Sequence, residues 1–175
     1  MLVFSEYQTD TIDLALDFYG YEDCPKNYEF GPSVRDNFVL HFITEGKGVF
    51  HFNKKEIHLE AGDLFLLPNN IVTYYKADAE EPWSYYWIGI SGTKVSDFMR
   101  FSTLHEKGFL KKTEVETEKI GQFMERLVHK AEASKMTSHY QLHLLSQIYE
   151  LLFLISEVAP DIHRSHPSPT YQLYL

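Results

Sequence analysis

Between Val34 and Gly92 the chain is cut into short apolar runs by turn-forming residues: Glu45-Gly46-Lys47-Gly48, Ala61-Gly62-Asp63, and the stretch Pro82-Trp83-Ser84-Tyr85-Tyr86-Trp87. Short runs split at near-regular intervals by Gly, Pro and Asn are the pattern of a jelly roll or a related closed antiparallel sheet. Side chains alternate along a strand, so Tyr85 and Trp87 share one face. With Tyr74 at the end of an earlier strand, they predict an aromatic mouth suited to a flat polar ligand such as a sugar ring or a nucleobase. Tyr75, beside Tyr74, is expected to face the other way.

After Gly92 the pattern becomes helical. A short helix is expected from Thr93 to about Phe101, then an irregular stretch through His105–Leu110. Thr113-Glu114-Val115-Glu116 fits a capping box, and Ile120, Phe123, Met124, Leu127, Val128 and Ala131 repeat on one helical face. The last helix opens at Ser138 and runs to about Val158 before Pro160. It carries two apolar stripes: Leu144, Ile148, Leu151, Ile155 and Val158 on one side, Leu142, Leu145, Tyr149 and Leu152 on the other. A helix apolar on two sides must be covered on two sides. One cover is its own domain; the other is either more of that domain or a second copy of the chain. Leu144, Ile148, Leu151 and Ile155 are the expected dimer face. The chain therefore divides into a β-barrel over residues 1–92, a helical part of the same domain over 93–162, and a segment over 163–175 whose two prolines and two serines read as linker.

A length of 175 residues and a hydrophobic fraction of 44% suit one folded domain rather than a disordered chain. The net charge of −9 opposes a nucleic-acid surface, because the basic pairs Lys54-Lys55 and Lys111-Lys112 are isolated. The single cysteine, Cys24, cannot form an internal disulfide, and the N-terminal residues lack the order of a signal peptide, so a cytoplasmic location is expected. No apolar run reaches membrane-spanning length.

Read together, Phe18-Tyr19-Gly20-Tyr21-Glu22-Asp23-Cys24, Phe30-Gly31-Pro32, Arg35-Asp36, Leu40-His41, Glu45-Gly46-Lys47-Gly48, Gly62-Asp63-Leu64-Phe65-Leu66-Leu67-Pro68 and Pro82–Trp87 resemble the sugar-sensing half of the AraC-type transcription regulators. The resemblance covers nearly the whole chain and narrows toward regulators of raffinose, melibiose and mixed-oligosaccharide operons in low-GC Gram-positive bacteria. It implies a cupin barrel followed by dimerising helices, a sugar effector such as an α-galactoside, a homodimer, and DNA binding only through a helix-turn-helix domain beyond the linker. It also implies that a sugar stacks on Trp87, with Tyr85 and Tyr74 facing it and Arg35 nearby. His41, between apolar residues on a strand, fits either a core histidine with one hydrogen-bonded nitrogen or a ligand contact. The expected ligand-binding set is thus Trp87, Tyr85, Tyr74, Arg35 and His41.

Cupin barrels also house metal enzymes, which use three histidines and a glutamate. Here Gly62 and Pro68 keep the spacing of the turn, and His41 and Glu45 keep the spacing of two ligands. Val39 and Thr73 stand where the other two histidines belong. No metal, no cofactor and no enzymatic activity are therefore expected. The rival readings are a metal-dependent cupin isomerase or oxygenase, and a dimerisation module with a non-functional pocket. His139 and His143 share a helical face without an HExxH glutamate, and Cys24 has no positive cluster to activate it.

Overall fold

The computed structural model describes residues 3–6 as backbone, and residues 13–134 and 139–163 in full. Its elements are β1 (Val3–Glu6), β2 (Ala15–Asp23), β3 (Glu29–Ser33), β4 (Phe38–Glu45), β5 (Lys47–Phe52), β6 (Lys55–Glu60), β7 (Leu64–Leu67), β8 (Thr73–Ala77), β9 (Ser84–Ser91), α1 (Thr93–Met99), α2 (Leu104–Lys107), β10 (Phe109–Leu110), α3 (Thr117–Ser134) and α4 (Tyr140–Val158). The strands form two antiparallel sheets, ordered β1-β2-β9-β4-β7-β10 and β3-β8-β5-β6. They face each other as a cupin-type jelly roll, and the helices follow the barrel as expected.

The large sheet is buried on both faces. Val39, Ile43, Phe65, Leu67, Tyr85 and Trp87 point toward the small sheet and pack with Phe50, Phe52, Ile57, Leu59 and Tyr75. On the other face Phe38, Leu40, Phe42, Leu64, Leu66, Ile88 and Ile90 pack with α1, α3 and α4. This is why Phe38–Ile43 and Leu64–Leu67 are apolar at every position but His41: a strand with core on both sides has no solvated face to mark with alternating polar residues. A shift of register between Leu16 and Phe18 in the β2–β9 pairing changes the alternation of β2. It leaves Leu16 and Tyr19 among the residues under the helices and turns Phe18 into the barrel.

The helices depart from the sequence-based expectation in three places. The first helix ends at Met99, short of Phe101. The third begins at Thr117, after the expected capping box at Thr113. The intervening residues form a turn, with Glu114 and Val115 N–H groups donating to the Lys111 carbonyl at 2.9 and 3.1 Å. Buried Asp63 holds this turn: its carboxylate accepts the backbone N–H groups of Lys112 and Glu60, each at 2.9 Å. Thr117 Oγ1 then donates to the Gly62 carbonyl at 2.6 Å, so the start of α3 is set by a tertiary contact and not by a local cap.

The third departure corrects the expected dimer face. Leu144, Ile148, Leu151 and Ile155 are fully buried in the chain's own core, beneath α4. The side of α4 with the unbroken run of branched aliphatics packs against α3, α1 and β2. The exposed apolar residues of α4 are Leu142 (78%), Tyr149 (44%) and Phe153 (57%), while Leu152 is buried. Ser138, the expected first residue of this helix, lies outside the described residues, as does the proposed linker after His163. None of the described helices is long and apolar enough to cross a membrane.

Gly121 sets how closely α3 approaches the sheet. A Cβ there would lie 2.2–2.5 Å from three atoms of the Phe42 ring. Gly121→Ala gains about 1 kcal/mol of helix propensity, but the overlap with a buried ring costs about 1–3 kcal/mol. Urea unfolding is therefore expected to show net destabilisation, relieved by Phe42→Leu in the same background. A variant at least as stable as the parent would show that α3 can shift freely on β4.

Candidate functional site

Two cross-strand rows face each other inside the barrel. In the large sheet, Gly20, Trp87, His41 and Phe65 stand directly opposite one another across β2, β9, β4 and β7. In the small sheet the corresponding row is Phe30, Tyr75, Phe50 and Ile57. Opposed residues share a face, so both rows turn inward. Between the sheets they leave a cavity of about 270 Å³, lined by Phe18, Glu22, Tyr28, Phe30, Arg35, Val39, His41, Leu67, Tyr75, Tyr85 and Trp87. Gly89 lies opposite Phe18, and a Cβ there would come within 2.3 Å of the Phe18 ring. The missing side chain is what seats that aromatic wall against β9.

His41 sits at the centre of the aromatic packing. Its ring stacks on Phe65 at 4.4 Å with an interplanar angle of 5° and meets Tyr85 edge-on at 4.9 Å. Burial, reinforced by the charge of Arg35, pushes its pKa down to about 3, so the imidazole is neutral at physiological pH. Its Nδ1 is buried with no hydrogen-bond partner. The Arg35 guanidinium lies 4.8 Å from the Phe30 ring centroid and 5.5 Å from that of Phe18, with Nε also buried and unpartnered. Burial raises the Tyr75 and Tyr85 phenols well above the ordinary tyrosine range, so both remain protonated. The Tyr85 hydroxyl donates to Glu22 Oε2 at 3.5 Å, and Trp87 meets the Tyr85 ring edge-on at 5.9 Å.

The structure thus brings together Trp87, Tyr85, Arg35 and His41 from the expected set. Tyr74 is elsewhere and its assignment is corrected. On β8 it faces away from Tyr75, donates its hydroxyl to Glu29 Oε2 at 2.6 Å, and packs beside His51 with ring centroids 5.1 Å apart. It borders an open surface hollow with Ile71 and Val72. Tyr75 takes the inward place because it pairs with Phe30 and Phe50, both apolar and inward. A one-residue difference in register exchanges the two faces of a strand, and nothing local to Tyr74-Tyr75 sets that register. Sequence reasoning also missed Phe18, Glu22, Tyr28 and Phe30. The alternation Phe18-Gly20-Glu22 carried a signal for two of them.

A cupin metal site needs several convergent histidine and carboxylate ligands. Among the described residues no group of three His, Cys, Asp or Glu side chains is placed to hold a metal ion. Glu45 is exposed at the end of β4, away from the wall that carries His41. Burial pushes the Cys24 thiol up to about 12, which leaves no thiolate for nucleophilic chemistry. A larger hollow of about 410 Å³ outside the barrel is bordered by Lys47, His58, Glu60 and Lys111 and has no Phe, Tyr or Trp in its lining.

His41 gives a pH signature. Its folded pKa of about 3 lies below the ordinary 6.5, so between these values the unfolded chain binds a proton that the folded chain refuses. Stability is expected to fall as pH drops through that window. His41→Gln should take up about one proton fewer on unfolding near pH 5, measured from the pH dependence of the urea midpoint and slope. Identical proton uptake in parent and variant would mean that His41 titrates normally in the fold.

A model of the AraC-like ligand binding domain matches residues 15–152. The chain is 36% identical over 173 residues to the Msm operon regulatory protein of Streptococcus mutans, an alignment covering 99% of this chain and 61% of that protein. It is 41% identical over 100 residues to the raffinose operon transcriptional regulatory protein RafR of Pediococcus pentosaceus, covering 55% of this chain and 36% of that one. The lactose operon transcription activator of Staphylococcus xylosus is 27% identical over 162 residues, covering 92% and 57%. The chain therefore spans less than two thirds of each of these relatives. Because the matched residues run from the start of β2 into α4 and take in every wall of the cavity, the chain belongs to the AraC-like ligand binding domain family.

Proposed function

We propose that this chain is the effector-binding and dimerisation part of an AraC-type regulator of carbohydrate metabolism, that its effector is a sugar held between the sheets, and that DNA is held by another part of the full-length protein inside the cell. The observation that carries this reading is the cavity itself. An indole wall at Trp87 offers a flat apolar face to the C–H side of a sugar ring, while the Arg35, Glu22 and Tyr side chains of the lining offer polar partners for its hydroxyls. The operon regulators of similar sequence support the sugar class. The net charge of −9 supports a division of labour in which DNA contacts lie elsewhere. In this reading the cavity binds and does not catalyse, and its neutral imidazole and protonated phenols hold and orient a ligand.

Signalling by such a domain is linkage. A sugar that binds one arrangement of the full-length protein better than another shifts the population toward the first by its differential affinity. Strand β9 is the element through which this domain would feel the ligand. Tyr85 and Trp87 border the cavity, while Tyr86 between them reaches α3, its hydroxyl 3.4 Å from both Glu125 Oε1 and His129 Nε2.

Dimerisation is assigned to the outward face of α4. Leu142, Tyr149 and Phe153 fall on one helical side by their spacing and run into an apolar groove shared with Phe98 and Phe101 of the α1 region.

Two experiments test these assignments. In calorimetric titrations with raffinose, lactose and their component monosaccharides, Trp87→Ala and Tyr75→Ala should each weaken the best ligand by about 2 kcal/mol, tens-fold in affinity. Tyr74→Phe should stay within about twofold. A folded Trp87→Ala that binds like the parent would remove the indole from the site. For assembly, Leu142→Glu with Phe153→Glu should give a folded monomer by light scattering, whereas Ile148→Glu should unfold the chain by burying an unpaired charge. A double variant that remains dimeric would place the interface elsewhere.

A further inference from the structure

We infer that the cavity accepts one unphosphorylated sugar ring and that Glu22 is the residue that rejects phosphorylated ones. The inference rests on the reading of the cavity as a sugar site and adds to it the charge and size of the ring admitted.

Charge comes first. Glu22 and Arg35 are the acidic and basic side chains of the lining, and the other polar walls are the neutral His41 and the tyrosines. The lining thus carries one negative and one positive group. No ion pair joins them: Arg35 Nε is without a partner, and the hydrogen bond to Glu22 comes from Tyr85 at 3.5 Å. Neither side chain is spent on the other, and both border the cavity. Glu22 is fixed in the site by register, directly across from Tyr85 on β9 and on the same inward face. An ionised carboxylate accepts hydrogen bonds and cannot donate them. It suits a sugar hydroxyl, which can donate to it, and opposes a phosphate monoester, which brings about −1.5 to −2 charge and further acceptor oxygens. A single guanidinium does not neutralise that charge with a carboxylate in the same small cavity. The partial burial that lifts the Glu22 carboxyl above its ordinary range also weakens solvent screening of the repulsion.

Size comes second. At about 270 Å³ the cavity falls just under the range of roughly 300–1,000 Å³ usual for drug-sized ligands. It has room for one ring, so a longer saccharide enters by a terminal residue and leaves the rest outside the barrel. The signal would then come from sugar that reaches the cell without phosphoryl transfer, either intact or after hydrolysis of a glycosidic bond.

The test is a calorimetric panel on the parent, Glu22→Gln and Glu22→Asp, each checked for folding by circular dichroism. The ligands are glucose, galactose, their 6-phosphates, lactose and raffinose. The parent should bind at least one neutral saccharide, with the matching 6-phosphate at least ~30-fold weaker, about 2 kcal/mol. If the ligand is a free monosaccharide, the ring alone binds tightest; if it is a terminal residue, lactose or raffinose binds at least as well as its component ring. Glu22→Gln should bind the neutral ligand several-fold more weakly and bring the 6-phosphate to within about threefold of it. Glu22→Asp should keep the discrimination. A parent that binds the 6-phosphate as tightly as the neutral sugar, or a folded Glu22→Gln with an unchanged ratio, overturns the assignment of Glu22 while leaving the sugar site standing. Binding of none of the six ligands overturns the sugar reading itself.

Discussion

The burial of the large sheet on both faces is the constraint on which the rest of the structure depends. Because β4, β7 and β9 are covered by the small sheet on one side and by helices on the other, each inward residue has outward neighbours held in the second core. On β9, Trp87 borders the cavity and Ile88 packs under the helices. Close-packed interiors transmit displacement because they have little free volume to absorb it. A ligand that moves Trp87 is thereby in mechanical contact with α3 and α4. The same double burial removes the solvated face that would otherwise mark these strands in the sequence.

The helical layer is tied to the barrel by polar contacts at one corner as well as by apolar packing. Asp63, Gly62 and Ala61 in the β6–β7 turn receive Lys112 and Thr117, from the segment that leads into α3. Gly121, one turn further along, lets the helix settle on Phe42. The start of the helix and its depth on the sheet are thus set within a few residues of each other.

The cavity combines a wide aromatic wall with few charges. His41 is kept neutral by burial, and Tyr75 and Tyr85 are kept protonated by the same cause. These three side chains have little capacity for proton transfer near neutral pH, since a general acid or base works best with a pKa near the operating pH. The lining has ample capacity for hydrogen bonding to a neutral polyol, in which every hydroxyl both donates and accepts. His41 Nδ1 and Arg35 Nε, buried without partners, carry the desolvation cost of unsatisfied polar groups beside that cavity.

Periodicity along the chain was enough to establish the β-then-α order, the shared face of Tyr85 and Trp87, and the two apolar stripes of the last helix, since these are relations within a single element. Tertiary structure alone decided the relations between elements. It chose Tyr75 over Tyr74 through the pairing of β8 with β3 and β5, and turned Phe18 inward through the register shift in β2. It placed Glu22 across from Tyr85, and buried the Leu144–Ile155 stripe where a dimer face was expected. The physical reason is common to all four. Alternation and helical spacing say which residues lie together on a face, but which face turns inward depends on the register and packing of neighbours far away in sequence.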